Sequence, residues 1–133
     1  MLDEAEVTAL IAGAGAAGEN AYAPHSGYKI GAAVVAEDDR VFFGCNVENA
    51  SYGLSLCAER SAISAAIAGG AKRIRAVVIV TRSDPPATPC GACRQWMSEL
   101  GNDDMEVIVA NARGAVRRFT LAQLLPEPFR FKK

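Results

Sequence analysis

A three-layer α/β/α domain around a mixed five-stranded sheet is the fold class this sequence predicts. Three observations carry that prediction. From the middle of the chain onward, helix-length segments alternate with short apolar runs of strand length, the order expected when helices and strands share one layered core. The run Ala76 to Thr81 shows no polar alternation, as a strand does when helices cover both faces of its sheet. Two earlier apolar runs are joined by Glu37-Asp38-Asp39-Arg40, a polar hairpin connection that makes one pair antiparallel.

The elements follow in order. From Ala5 to about Ala21 the positions Val7, Leu10, Ile11 and Ala14 keep a helical period. Gly13, Gly15 and Gly18 weaken that helix, each by about 1 kcal/mol relative to alanine. Pro24 to Gly27 makes a turn. Ile30 to Ala36 and Val41 to Cys45 are strands, and Asn46 to Leu56 is an ordered loop carrying polar groups. A second helix runs from about Ala58 to Ala68 and stops at Gly69-Gly70, where glycine suits a left-handed cap. Its core side is small: Ala62, Ile63, Ala66 and Ile67. Ser83 to Pro89 is a proline-rich loop feeding a third helix, about Gly91 to Leu100. Glu106 to Ala110 and Val116 to Phe119 supply the last two strands. A short helix near Leu121 to Leu125 and a Pro126-Pro128 tail follow.

With 133 residues the chain fits one domain, 1–133, and can bury a core without a disulfide scaffold. Half the residues are apolar, and 14 basic against 15 acidic residues leave a net charge of -1. No global basic bias points to a nucleic-acid polymer. Lys72-Arg73-Ile74-Arg75, Arg117-Arg118 and Phe131-Lys132-Lys133 are short clusters that read as solvated faces. The first residues, Met1-Leu2-Asp3-Glu4-Ala5-Glu6, carry acids where a signal peptide has bases, and no apolar run reaches membrane-spanning length. A cytoplasmic protein keeps its thiols reduced. Four cysteines in that setting suggest metal binding or catalysis before disulfides.

Three of them stand in a telling arrangement. Cys57-Ala58-Glu59 is followed about thirty residues later by Pro89-Cys90-Gly91-Ala92-Cys93. Both clusters fall at a helix start, where free N–H groups and the positive dipole end favour thiolates. Cys90 and Cys93 share a helix face, and Cys57 joins them if the two helices begin at the same sheet edge. Zinc held by three protein ligands keeps a fourth position for water, whose pKa falls to about 7. Glu59 is then free to carry that water's proton. Positions i and i+2 of a helix differ by about 200°, so Cys57 belongs at the cap, with Glu59 bending back over the helix end. Three thiolates leave zinc with net negative charge, and Arg60 is the residue placed to balance it.

Three other readings compete. Cys45 as a fourth thiolate would close the zinc site and end its chemistry. Cys-Gly-Ala-Cys could be a redox dithiol. The thiols could be buried and inert. A closed zinc site would leave Glu59 and Pro89 without purpose and lacks the usual paired CxxC spacing, and the combination of Cys57, Cys90, Cys93, Glu59 and Pro89 outweighs all three readings.

The same residues match the zinc nucleobase-deaminase signature. Cys45-Asn46-Val47-Glu48-Asn49-Ala50-Ser51-Tyr52, Cys57-Ala58-Glu59-Arg60, Pro89-Cys90-Gly91-Ala92-Cys93-Arg94-Gln95 and Leu124-Leu125-Pro126 with Phe129 together resemble the small, all-cysteine cytidine deaminases, from Ala21 to Phe129. That resemblance implies one Zn2+ per subunit on Cys57, Cys90 and Cys93, with Glu59 as proton shuttle. It implies that Asn46 and Glu48 bond the ribose 3′-hydroxyl. Ala50 and Tyr52 correspond to a loop lent to a neighbouring subunit's site, and Phe129 to an aromatic closing over the pyrimidine. A homotetramer is implied as well. Within Ala23-Pro24-His25-Ser26-Gly27-Tyr28 the family generally has phenylalanine at Tyr28 and often tyrosine at His25; Tyr28 keeps a ring to stack on the base. The implied activity is hydrolysis of cytidine and 2′-deoxycytidine to uridine and 2′-deoxyuridine with release of ammonia, a pyrimidine-salvage step. The alternatives are a deaminase of a related aminopyrimidine nucleoside such as blasticidin S, a polynucleotide-editing deaminase, or a non-catalytic zinc-binding module.

Overall fold

The structure, a computed structural model, describes residues 1–131; Lys132 and Lys133 of the C-terminal basic cluster lie outside the described residues. The elements are α1 (Glu4–Gly18), β1 (Gly31–Ala36), β2 (Val41–Cys45), α2 (Ala58–Ala68), β3 (Ile74–Thr81), α3 (Gly91–Leu100), β4 (Glu106–Asn111), β5 (Val116–Thr120) and α4 (Leu121–Leu124). The sheet order is β2-β1-β3-β4-β5. Only β3 and β4 are parallel, linked through α3; the other neighbours are antiparallel. The predicted mixed five-stranded sheet is what the chain forms.

Strand alternation sorts the core into two faces. Ala33, Val35, Ala76, Val78 and Ile108 meet Leu2, Val7, Leu10 and Ala14 on the α1 side. Ala32, Val34, Val77, Ile79, Val107 and Val109 meet Ala62, Ile63, Met97 and Leu121, from α2, α3 and α4. This is the three-layer arrangement. Ile67, expected on the core side of α2, is 42% exposed. It lies one turn beyond Ile63 in the last turn of the helix, and the buried stripe is Ala58, Ala62, Ile63 and Ala66.

Boundary shifts have local causes. Helix α1 opens on a capping box between Asp3 and Glu6. It ends at Gly18 rather than Ala21, because the chain leaves to pair Tyr22 with the 46–48 segment: Tyr22 N–H donates to the Asn46 carbonyl at 3.0 Å, and Glu48 N–H to the Tyr22 carbonyl at 2.8 Å. Strand β1 starts at Gly31 because the Ile30 N–H is taken by the Asn46 side chain. Strand β3 starts at Ile74 because a register shift at Val35/Ala36 lets Ala36 pair with it. The 46–56 loop carries a 3-10 turn, Tyr52–Leu54.

Close approach explains one glycine in particular. A Cβ built on Gly44 would sit 2.4 Å from the Ala62 backbone nitrogen, so α2 lies directly on the end of β2.

Candidate active site

Helices α2 and α3 start side by side, and their N-caps are Cys57 and Cys90. Cys93 follows in the first turn of α3, wholly buried. The Cys57 and Cys90 sulfurs are 3.9 Å apart and the Cys90 and Cys93 sulfurs 3.5 Å. All three lie within 4.8 Å of one another. Tetrahedral Zn–S bonds of about 2.3 Å place ligand sulfurs about 3.8 Å apart. The donor set therefore fits one zinc ion. Among the described residues Cys45 does not join this group, so the closed four-thiolate reading has no geometric basis.

Electrostatics fit an ion as well. Hydrogen bonding from the Cys93 thiol, and next from the Arg60 guanidinium, holds the Cys57 thiol at about 5. The same bond to Cys57, with burial, pushes Cys93 up. Cys57 is thus the more readily ionised thiol of the pair, and a divalent cation would claim both as thiolates. Arg60 Nη2 donates to the Cys57 sulfur at 3.3 Å, the contact expected of a charge-balancing cation.

Glu59 is only 5% exposed. Burial raises its carboxyl above the ordinary carboxylate range, and the Cys57 thiolate adds to the rise. With Cys57 at the cap, Glu59 reaches the same cavity despite the two-residue spacing, as the helix geometry requires. That cavity holds about 280 Å3. Cys57, Glu59, Cys90, Asn46 and Glu48 line it with Ile30, Leu56, Ile79, Thr81 and Thr88 among its walls. A larger cavity, about 690 Å3, lies at the opposite end of the sheet among Ile74, Glu106 and Arg118. Its Arg118 is already paired with Glu106 and Glu4, and it holds none of the cysteines.

Asn46 and Glu48 are fixed by backbone. Asn46 Oδ1 accepts from Ile30 N–H and its Nδ2 donates to the Tyr28 carbonyl, both at 2.8 Å. One amide hydrogen remains. Glu48 Oε1 accepts from the N–H groups of His25 (2.9 Å) and Ser26 (3.1 Å), and Oε2 from the Ser26 hydroxyl. These bonds, the Ser26 hydroxyl first, hold its carboxyl below the usual range.

Four of the six predicted substrate-binding residues stand apart from the cavity of their own chain. Tyr28, Ala50, Tyr52 and Phe129 do not line it. Tyr52 is 77% exposed, edge-on to His25 with ring centroids 6.1 Å apart. Phe129 is 67% exposed, and Gln95 Nε2 holds its carbonyl at 2.9 Å. Sequence reasoning passed over Ser26, Thr88 and Arg94 as site-shaping residues. Thr88 abuts the Pro89-Cys90 pair and Arg94 follows Cys93, so adjacency was the available signal.

Comparison with known proteins agrees with this geometry. Residues 5–110 match the family model described as the cytidine and deoxycytidylate deaminase zinc-binding region. A cytidine deaminase of Sporosarcina psychrophila is 41% identical over 124 residues, covering 93% of this chain and 91% of its own. The crystal structure of a cytidine deaminase from Burkholderia pseudomallei is 51% identical with a TM-score of 0.88, covering 92% of this chain and 98% of that one. One from Mycobacterium tuberculosis is 37% identical with a TM-score of 0.80, covering 93% and 97%. A three-thiolate cluster beside a buried carboxyl, on a fold shared along almost its whole length with such proteins, places this chain in the zinc-dependent cytidine deaminase family.

Proposed function

We propose that this protein hydrolyses the 4-amino group of cytidine and 2′-deoxycytidine, giving uridine or 2′-deoxyuridine and ammonia. The observation that carries the reading is the cluster of Cys57, Cys90 and Cys93, which meets the cavity lined by Glu59 through Cys57 and Cys90. The relatives named cytidine deaminase support it.

Cys57, Cys90 and Cys93 would hold one zinc ion per subunit, and the chemistry it would supply is activation of a water for attack at C4. Glu59 does the proton work. It would take one proton from the attacking water and pass it to N3, then take the second from the hydroxyl newly bonded to C4 and give it to the departing amino group. Arg60 offsets thiolate charge through its bond to Cys57. Asn46 keeps one amide hydrogen and Glu48 keeps acceptor capacity, so both can bind sugar hydroxyls while backbone bonds hold them still. Orientation of this kind contributes several kcal/mol to lowering a barrier.

A cavity of about 280 Å3 suits a single nucleoside rather than a polynucleotide. The exposed ring of Tyr52, with Ala50 beside it, serves the site of a neighbouring subunit in a homotetramer, and the exposed Phe129 ring closes over the pyrimidine. Tyr28, outside the cavity lining but tied to it through the Asn46 bond to its carbonyl, is the ring proposed to stack on the base. We read 1–133 as one catalytic domain working in the cytoplasm; no helix of the described residues is long and apolar enough to cross a membrane.

Zinc content measured beside turnover of cytidine, 2′-deoxycytidine, cytosine, blasticidin S and a single-stranded oligonucleotide tests the reading. One zinc per chain with ammonia release from the two nucleosides is expected. Release from the oligonucleotide or blasticidin S alone would replace this substrate class, and zinc without turnover of any compound would leave a binding module. Light scattering of the same sample reads the tetramer.

A further inference from the structure

The chain that enters α3 forms one wall of the cavity, through Ala87, Thr88 and Cys90. Residues 82–90 belong to no helix or strand, so the wall is held by the buried Pro86 and Pro89 together with side-chain bonds. Ala87 N–H reaches Thr81 Oγ1 at a long 3.4 Å. The strong anchors come from Arg94. Its Nε donates to the Pro89 carbonyl at 2.7 Å, its Nη2 to Thr88 Oγ1 at 2.9 Å, and its Nη1 to the Leu124 carbonyl at 2.6 Å.

Three acceptors around one planar guanidinium make a fixed staple, which a lysine ammonium on a flexible stem cannot reproduce. Packing holds Pro89 but not the next residue. Cys93 is fully buried and Cys57 is partly buried against the core, but Cys90 is exposed. Arg94 follows Cys93 on the rigid helix and reaches back to the two residues before Cys90. It touches none of the three sulfurs, unlike Arg60, which bonds Cys57 directly.

We propose that Arg94 is a positioning residue of this site: it clamps the Thr88-Pro89 wall to α3, and so fixes Cys90 relative to Cys93 and Thr88 relative to the substrate. The kinetic half of this inference rests on the deaminase reading above; the metal half does not.

Arg94→Lys, Thr88→Val and the double variant test it, each as the full zinc-loaded chain. The readouts are zinc per chain, the rate of zinc transfer to a chromophoric chelator, KM and kcat for cytidine, and melting of the zinc-free protein. Outer partners of metal ligands typically change metal affinity by about 10- to 100-fold. Arg94→Lys should keep one zinc per chain yet release it about tenfold faster, with KM raised more than kcat is lowered. Thr88→Val should move the same readouts in the same direction by less, and the double variant should be no worse than Arg94→Lys, because Thr88 acts through the guanidinium. Zinc transfer within twofold of wild type in Arg94→Lys overturns the proposal, even where the zinc-free protein melts earlier, since that pattern marks a purely structural bond. Additive effects in the double variant overturn it too. Should Arg94→Lys fail to fold, an unchanged zinc-transfer rate in Thr88→Val decides against it. If wild type binds zinc but leaves cytidine intact, the deaminase reading falls while the chelator arm still judges Arg94.

Discussion

Cys57 and Cys90 are 33 residues apart in the chain, yet their sulfurs stand 3.9 Å apart because each is the N-cap of its own helix. Two helix ends thus aim their free N–H groups and dipoles at one spot, which stabilises thiolates there. The sheet supplies the alignment: α2 lies on the β2 end through Gly44, and α3 crosses from β3 to β4.

Removal of any one sulfur should therefore cost the metal. Cys57→Ser, Cys90→Ser and Cys93→Ser are each expected to fall well below one zinc per chain, whereas Cys45→Ser keeps full occupancy. Both apolar faces of the sheet pack without the ion, so a chelated sample should retain its far-ultraviolet circular dichroism and regain turnover on zinc addition. Elemental analysis of the four variants checks this; loss of zinc in Cys45→Ser would restore the four-thiolate site.

Glu59→Gln should separate binding from chemistry. The amide fills the same buried volume and removes a carboxyl whose charge burial disfavours, so folding stability should hold and zinc should stay. It has no proton to shuttle, and turnover should fall by about 10²- to 10⁴-fold. Steady-state ammonia release against zinc content reads both. A variant within tenfold of wild-type turnover would take Glu59 out of the proton path.

How much of this was legible beforehand differs by residue. Cys57 at a cap followed from the incompatibility of i and i+2 on one helix face, and the structure has it there. The helix limits Ala58–Ala68 and Gly91–Leu100 were readable from glycine and proline punctuation. Ile67 misled, because periodicity marks a stripe but not how far along the helix the sheet covers it. Asn46 could be recognised as a polar loop residue, but not as a clamp between Tyr28 and Ile30, since that depends on two segments meeting in space. Arg94 stands in the deaminase-like motif, but its staple could not be read there, because the Leu124 carbonyl joins Thr88 and Pro89 around it only in space.

Glu48 should impose a pH dependence on the loop it holds. Its folded pKa is depressed by the Ser26 hydroxyl and then by the N–H groups of Ser26 and His25. A depressed value means the carboxylate contributes stability above its unfolded pKa of about 4.3, and that contribution fades as pH falls through the lower folded value. Glu48→Gln should thus flatten the acid side of the stability curve and leave no difference in slope above pH 6. Urea midpoints for both proteins between pH 3 and about 7 supply the comparison. Parallel curves throughout that range would mean the Ser26 contact exerts no pull on the carboxyl.

Glycines in α1 offer a test of how tightly that helix sits on the sheet. A Cβ on Gly15 meets nothing within 4 Å, while one on Gly31 would lie 1.7 Å from the Ala14 carbonyl oxygen, and one on Gly18 would lie 2.9 Å from the Gly31 nitrogen. Gly15→Ala should therefore gain the helical advantage of alanine, about 0.5–1 kcal/mol. Gly31→Ala has no flexible side chain to push aside, only backbone. It should lose about 3 kcal/mol or more, through overpacking that moves α1 off β1. Gly18→Ala should also destabilise, because the clash with backbone exceeds the helix gain. Denaturant midpoints of the three variants rank them, and Gly31→Ala melting together with wild type would show that α1 and β1 are farther apart than the packing of Ala14 on Gly31 requires.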